Sequence, residues 1–246
     1  MNHTNCHLTI NGYCQICEAK TVFYSKDDWL RDHFFCQGCH SIPRERSLLY
    51  ALNLLYPEWR NLKIHESSPA DRGASWKMRH DCPGYVASHF DERIAFGAMD
   101  PSQTYQSENL EDQTFGDEAF DLVITQDVFE HLFRPDLAVC EIARTLRPGG
   151  AHICTVPLVR KEQPSRRRAR LLDGKVVHEL APEYHGNPLS ADGSLVTVDW
   201  GFDIASYLDH VSGLSTTIIF VDNLHFGLRA QFLEVLVCRK LSIPNI

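Results

Sequence analysis

Long hydrophobic runs are missing from this chain. No stretch approaches the roughly 18 consecutive apolar residues that a spanning helix needs, and residues 1–12 are polar. Neither a membrane span nor a signal peptide is predicted, and a cytoplasmic location is expected. An excess of positive charge is missing as well. The 246 residues carry 24 Lys and Arg against 32 Asp and Glu, a formal net charge of −8. Nucleic-acid binding draws most of its affinity from phosphate neutralisation, so this balance argues against a general nucleic-acid binder. Internal repeats, low-complexity tracts and a linker long enough for a third domain are also absent. What remains is one large domain with a small appendage.

Cysteine is plentiful instead. There are nine, five of them within the first 39 residues. In a reducing compartment they are not expected to pair as disulfides. Cys14-Gln-Ile-Cys17 and Cys36-Gln-Gly-Cys39 form two C-x-x-C knuckles, each able to present two thiolates to one ion. Together they make the tetrahedral four-sulfur shell that Zn²⁺ prefers, so a structural zinc is expected on Cys14, Cys17, Cys36 and Cys39. An iron centre or unliganded thiols are the alternatives. Thr21 to Tyr24 reads as a strand and Asp27 to Phe35 as a short helix or second strand, with Cys6 and His7 in a tail. The module spans residues 1–41. Pro43 then opens a helix with Leu48, Leu49, Leu52 and Leu55 on one face, closed by Pro57, with Arg44, Glu45 and Arg46 in its first turns.

The most informative stretch is FDLVITQDVFEHLFRPDLAVCEIARTLRPGGAHICTVP, residues 120–157. Leu122, Val123 and Ile124 form an apolar run without helical spacing, the mark of a strand buried on both faces. A helical pattern follows through Leu137, Cys140, Ile142 and Leu146, with Asp136 near its start and Pro148-Gly149-Gly150 as its stop. A second strand covers Ala151 to Val156. Strand, helix and strand make the crossover unit of a doubly wound α/β sheet, whose ligands bind beyond the carboxyl ends of the strands. Gln126 and Asp127 fall at that edge.

The FD before this strand, the EH after it and the LRPGG before the next resemble class I S-adenosylmethionine-dependent methyltransferases with a type 11-like domain. The resemblance implies a doubly wound, seven-stranded, mostly parallel sheet, the Rossmann-like methyltransferase fold, over residues 42–246. It implies S-adenosylmethionine as cofactor beside the structural zinc. Leu62 to Glu66 would be the first strand, yet the loop after it, from Glu66 to Gly73, lacks the usual G-x-G-x-G. By resemblance Glu66 takes the acidic position near the cofactor's amino-acid part, with Ser67 and Ser68 close by. The second strand, Tyr85 to Phe90, ends in Ser88 and His89, with Asp91 and Glu92 beyond; which of them meets the ribose is open. Asn109, beside Leu110, stands where an adenine-facing Asp is usual, and an Asn oxygen can accept the same hydrogen bond. A turn Asn is the other reading. Gln126, Asp127 and Val128 complete the expected cofactor contacts. A closing helix from Asp203 to Val211 and strands at Thr216 to Phe220 and Phe232 to Cys238 match the superfamily's end, where the last strand inserts antiparallel.

Residues 158–200 read as a substrate-side insertion. Glu183, Tyr184 and His185, within a polar loop from Pro182 to Pro188, are the substrate candidates. Arg160, Lys161, Arg166, Arg167, Arg168 and Arg170 form a basic cluster, either a solvated face or an anion site, and Arg160 joins the substrate candidates on the second reading. For a general base the chain offers Asp127, His131, His178 and His185; the catalytic expectation falls on His185, then Asp127, with His131 third. The expected function is methyl transfer to a small-molecule or sugar-like acceptor. An RNA methyltransferase gripping its substrate with the zinc module, or a non-catalytic partner protein retaining the fold, are the alternatives. The expected partner is a small molecule, a saccharide included, with neither nucleic acid nor membrane; oligomeric state is not legible.

Overall fold

The computed structural model describes residues 8–187 and 190–242. Cys6, His7 and Pro188 lie outside them. At the N-terminus a hairpin joins β1 (Thr9–Cys14) to β2 (Ala19–Ser25), with Cys14 opposite Ala19 at the turn. A single helical turn, α1 (Leu30–His33), leads into β3 (Phe34–Cys36), which pairs with β2. Both expectations for residues 27–35 are therefore partly met, helix first and strand after. Phe23 and Phe34 are buried here, and the Arg46 guanidinium lies over both rings.

Helix α2 (Pro43–Leu55) starts on Pro43, whose missing N–H costs nothing at that position, and the Glu45 carboxylate accepts from the Ile42 N–H at 3.0 Å. Leu48, Leu49 and Leu52 are buried as the spacing predicts. Arg46 is buried too, donating to the carbonyls of Phe34 and Gly227, so it is structural.

The main sheet contains β4 (Ile64–Ser67), β5 (Tyr85–His89), β6 (Gln106–Ser107), β7 (Phe120–Gln126), β8 (Leu146–Thr155), β15 (Ser215–Ile219) and β16 (Val235–Arg239). Its order is β15-β16-β8-β7-β4-β5-β6, and β16 runs antiparallel to both neighbours while β4 to β8 are mutually parallel. This is a seven-stranded, mostly parallel α/β sheet. Helices α2 and α3 (Gly73–Asp81) cover one face, where Leu48, Leu52, Met78, Ile64, Leu122, Ile124 and Ile153 pack together with Phe23 and Phe34. The opposite face meets α4 (Pro135–Thr145) and α5 (Ile204–Ser212) through Val123, Val139, Ile142, Ile204 and Leu236. Burial on both sides explains why β7 reads as one unbroken apolar run. No helix among the described residues is long and apolar enough to cross a membrane.

Three expectations need correction. The buried stripe of α4 is Ala138, Val139, Ile142 and Thr145, whereas Leu137 is 40% exposed and Cys140 also faces out. Pro148-Gly149-Gly150 lies inside β8 rather than before it. A Cβ at position 150 would sit 2.6 Å from the Asp121 carbonyl oxygen, so glycine there lets two backbones approach. The last strand begins at Val235, after Phe232 has taken a left-handed turn with φ 55°.

The insertion is built of short antiparallel pairs. β9 (Arg166–Arg167) pairs with β14 (Val198–Asp199), β10 (Ala169–Leu172) with β11 (Lys175–His178), and β12 (Tyr184–Asn187) with β13 (Ser190–Leu195).

Candidate active site

A cavity of about 1190 Å³ opens beyond the carboxyl ends of β4, β5 and β7. One end is walled by Ser67, Ser68, His89, Glu92, Asn109 and Leu110, the middle by Gln126, Asp127 and Val128, and the far end by His131, Glu183 and His185. A hollow of about 730 Å³ lined by Asn11, Lys20, Gln37 and His225 lies on the cysteine module, away from the strand ends.

The loop after β4, without a G-x-G-x-G run, makes its first turn with a serine. Ser68 takes φ 58°, and its N–H donates to the Ser88 carbonyl at 2.7 Å, tying the loop to β5. Beneath it lies Glu66, fully buried, accepting from Ser75 Oγ, the Tyr85 hydroxyl and Gln126 Nε2, each at 2.7 Å. Burial raises its pKa against these three donors. Glu66 thus stands behind the wall and fixes Gln126, which is part of it. Ser88 is likewise behind the wall, bonded to His65 Nε2 at 2.8 Å.

Asp127 also has a positive φ, 53°, and its carboxylate is enclosed by Arg31 at 2.8 Å, Arg44 at 2.9 Å and the Thr155 hydroxyl at 3.0 Å. Burial alone would raise its pKa. The two guanidiniums outweigh that and hold it well below the usual carboxylate range. Such a group stays ionised and takes no proton, so Asp127 is an anchor rather than a base. Asn109 lines the cavity while its Oδ1 accepts from the Glu111 N–H at 3.0 Å, so the turn role and the wall position coexist.

At the far end the rings of His131 and His185 meet edge to face at 5.2 Å. The Glu130 carboxylate nearby, more than burial, sets the direction for His185 and raises its pKa.

A family model described as a methyltransferase domain matches residues 87–154. Two solved structures share the fold. An S-adenosylmethionine dependent methyltransferase from Mesorhizobium loti aligns with a TM-score of 0.50, covering 78% of this chain and 97% of that one at 15% identity. Streptomyces venezuelae DesVI aligns with a TM-score of 0.52, covering 81% and 92% at 12% identity. At these identities the likeness is one of fold. Together with the domain match it supports an enzyme that uses S-adenosylmethionine.

Several candidates stand outside the cavity. Tyr184 is 57% exposed and does not line it. Arg160 donates to the Pro164 carbonyl, and His178 sits on an exposed strand. Half of the basic cluster is engaged by the protein itself: Arg168 is paired with Asp199 and Glu183, Arg170 with Glu179, and Arg167 donates to the carbonyls of Leu132 and Phe133. Conversely, Trp29, Arg31, Asp32, Arg44 and Phe232 line the cavity although their positions in the chain do not announce it. Asp27 to Phe35 is short, and only its packing against Asp127 brings Arg31 to the strand ends.

In the cysteine module the Sγ atoms of Cys14 and Cys39 are 3.7 Å apart and those of Cys17 and Cys36 3.8 Å apart. All four lie within 4.8 Å of one another. A tetrahedron of Zn–S bonds of roughly 2.3 Å has edges of about 3.8 Å. The set suggests a metal centre.

Gly73 closes the loop after β4 with φ 61°, and a Cβ there would collide with the Glu45 carboxyl group. Gly73→Ala is expected to cost about 1–3 kcal/mol of stability, read by urea unfolding, and to weaken cofactor binding by displacing the loop that carries Ser67 and Ser68. Unchanged affinity would separate this loop from the cofactor.

Proposed function

We propose that the protein transfers the methyl group of S-adenosylmethionine to a small, hydroxyl-bearing acceptor of sugar-like character, and that Cys14, Cys17, Cys36 and Cys39 hold one structural zinc ion. The observation that carries the reading is a single cavity joining the ends of β4, β5 and β7 to two histidines of the opposite wall. Ser67 and Ser68 would meet the amino-acid part of the cofactor, His89 and Glu92 the ribose, Asn109 and Leu110 the adenine. Gln126 and Val128 would lie along its middle. Glu66 acts one layer back by fixing Gln126, and Asp127, itself in the wall, holds Arg31 and Arg44 there.

The cofactor brings its own leaving group, so the chain's work is alignment. Orientation of donor and acceptor supplies roughly 7–11 kcal/mol of such a barrier. A base at the acceptor hydroxyl adds on the order of 10²–10⁴ in rate. His185, with Glu183 beside it, is the residue placed for that step. An RNA acceptor finds less support, because Arg167, Arg168 and Arg170 already have partners within the protein.

Calorimetric titration with S-adenosylmethionine and with S-adenosylhomocysteine tests the reading. Saturable binding of both, near one per chain, is expected, followed by methyl transfer to members of a sugar and polyol panel. Absence of binding by either compound removes the methyltransferase assignment.

A further inference from the structure

A buried carboxylate without a partner stands beside the cavity. Glu130 lies in the turn after β7 with its side chain 3% exposed. Neither of its oxygens has a hydrogen-bond partner among the described residues. An ionised carboxylate removed from water is costly unless an opposite charge compensates it. The groups that face Glu130 Oε1 are His131 Nε2 at 3.7 Å and His185 Nδ1 at 3.8 Å, both too distant for hydrogen bonds.

The tautomer of His131 sharpens the point. Its Nδ1 lies 2.9 Å from the Leu195 carbonyl oxygen, which can only accept. Nδ1 therefore carries the hydrogen of the neutral ring, and the Nε2 lone pair is turned toward Glu130. A lone pair facing a carboxylate is repulsive unless a cation lies between them. The three ligand atoms lie within 4.8 Å of one another, a spacing that metal–nitrogen and metal–oxygen bonds of roughly 2.0–2.2 Å can draw together. A carbonyl bound to the outer ring nitrogen is also how metal-ligating histidines are commonly oriented. Thr197 adds support, donating its N–H and hydroxyl to the Glu130 carbonyl and so fixing the turn.

We propose that Glu130, His131 and His185 form a binding site for a first-row divalent metal ion at the acceptor end of the cavity, separate from the four-cysteine centre. Two imidazoles and one carboxylate suit Mn²⁺ or Fe²⁺, and Mn²⁺ is an ion that thiolates do not favour. Both histidines line the cavity, so such an ion borders the space open to the acceptor. This deepens, and rests on, the methyltransferase reading as regards the acceptor, which is then a molecule that offers a hydroxyl oxygen to the ion. In the transfer the sulfonium S–CH₃ bond breaks as the O–CH₃ bond forms. The hydroxyl proton leaves to water, and the products are S-adenosylhomocysteine and a methyl ether. The ion's charge makes the hydroxyl more acidic, and His185 then serves as a ligand instead of a base.

The test uses the full chain loaded with zinc, so that the cysteines are filled, then titrated with Mn²⁺ and followed by electron paramagnetic resonance. One Mn²⁺ per chain is expected. Its affinity should fall roughly tenfold or more in Glu130→Gln and in His185→Ala, and stay unchanged in His178→Gln. Each variant is titrated with S-adenosylmethionine in parallel, which reports an intact fold. No Mn²⁺ binding to the wild type, or binding that survives Glu130→Gln at full strength, overturns the site. Cofactor binding without Mn²⁺ binding sinks the metal proposal alone. The reverse pattern sinks the methyltransferase reading and leaves the ion site standing.

Discussion

Cys36→Ser is expected to release about one zinc ion per chain, to cost more than about 4 kcal/mol of stability, and to abolish cofactor binding with it. Cys36 is buried, and its thiol sits 3.8 Å from that of Cys17. A serine hydroxyl in its place neither ionises nor ligates a soft-accepting ion as well. The small module has little core of its own, so metal binding supplies much of its folding free energy. For a domain of this size that loss lowers the melting temperature by roughly 10 °C or more. The effect should reach the cavity because the same module delivers Trp29 and Arg31 to its wall and places Phe34 against Arg46. Metal content by atomic emission, melting by calorimetry and cofactor titration check the three parts. A metal-free variant with wild-type melting would refute the structural zinc.

Asp127→Ala is expected to cost about 3–5 kcal/mol. Removing the carboxylate leaves Arg31, whose side chain is 7% exposed, and Arg44, 22% exposed, with only the more distant Asp32, at 3.8 and 3.6 Å, as a shared counter-charge. Asp127→Asn keeps the shape and one acceptor oxygen and should lose less. The pH dependence follows from the depressed pKa. In the unfolded chain this carboxyl titrates near 4; in the folded protein it stays ionised well below that. Its contribution is complete above about pH 4 and is lost as the pH falls toward the folded value. Urea unfolding across the acid range should show a shallower decline for Asp127→Ala than for the wild type. An equal slope would mean that the two arginines find another counter-charge.

The sheet was readable because its central strands are covered on both faces. Leu122, Val123 and Ile124 have no polar alternation to confuse with a surface strand, and the cysteine knuckles carry their chemistry in their spacing. The helix phase of α4 was harder. Leu137 is as apolar as Ile142, and only packing decides which of them turns inward. The basic cluster was open to two readings for a related reason. Asp199 lies 31 residues from Arg168, so the pairing that neutralises it exists only after the insertion has folded back. Glu130 could not be singled out at all. As part of the EH pair it looks like any acidic residue after a strand, and its lack of partners is a property of the assembled cavity.

The position of β16 has a consequence for how the molecule is made. Residues 235–239 occupy the slot between β8 and β15, and Gly227 and Leu233 accept hydrogen bonds from Arg46 and Ser47, near the other end of the chain. On the ribosome, β8 therefore waits with one edge open through the synthesis of the whole insertion. The slot beside the edge strand β15 is the last part of the sheet to fill, and it does so with contacts of long sequence separation to β8, which fold slowly. A nascent chain halted before residue 235 would present an unpaired apolar strand to its surroundings, a template for association with other chains. The protein thus depends on prompt synthesis of residues 235–239 more than its size alone would require.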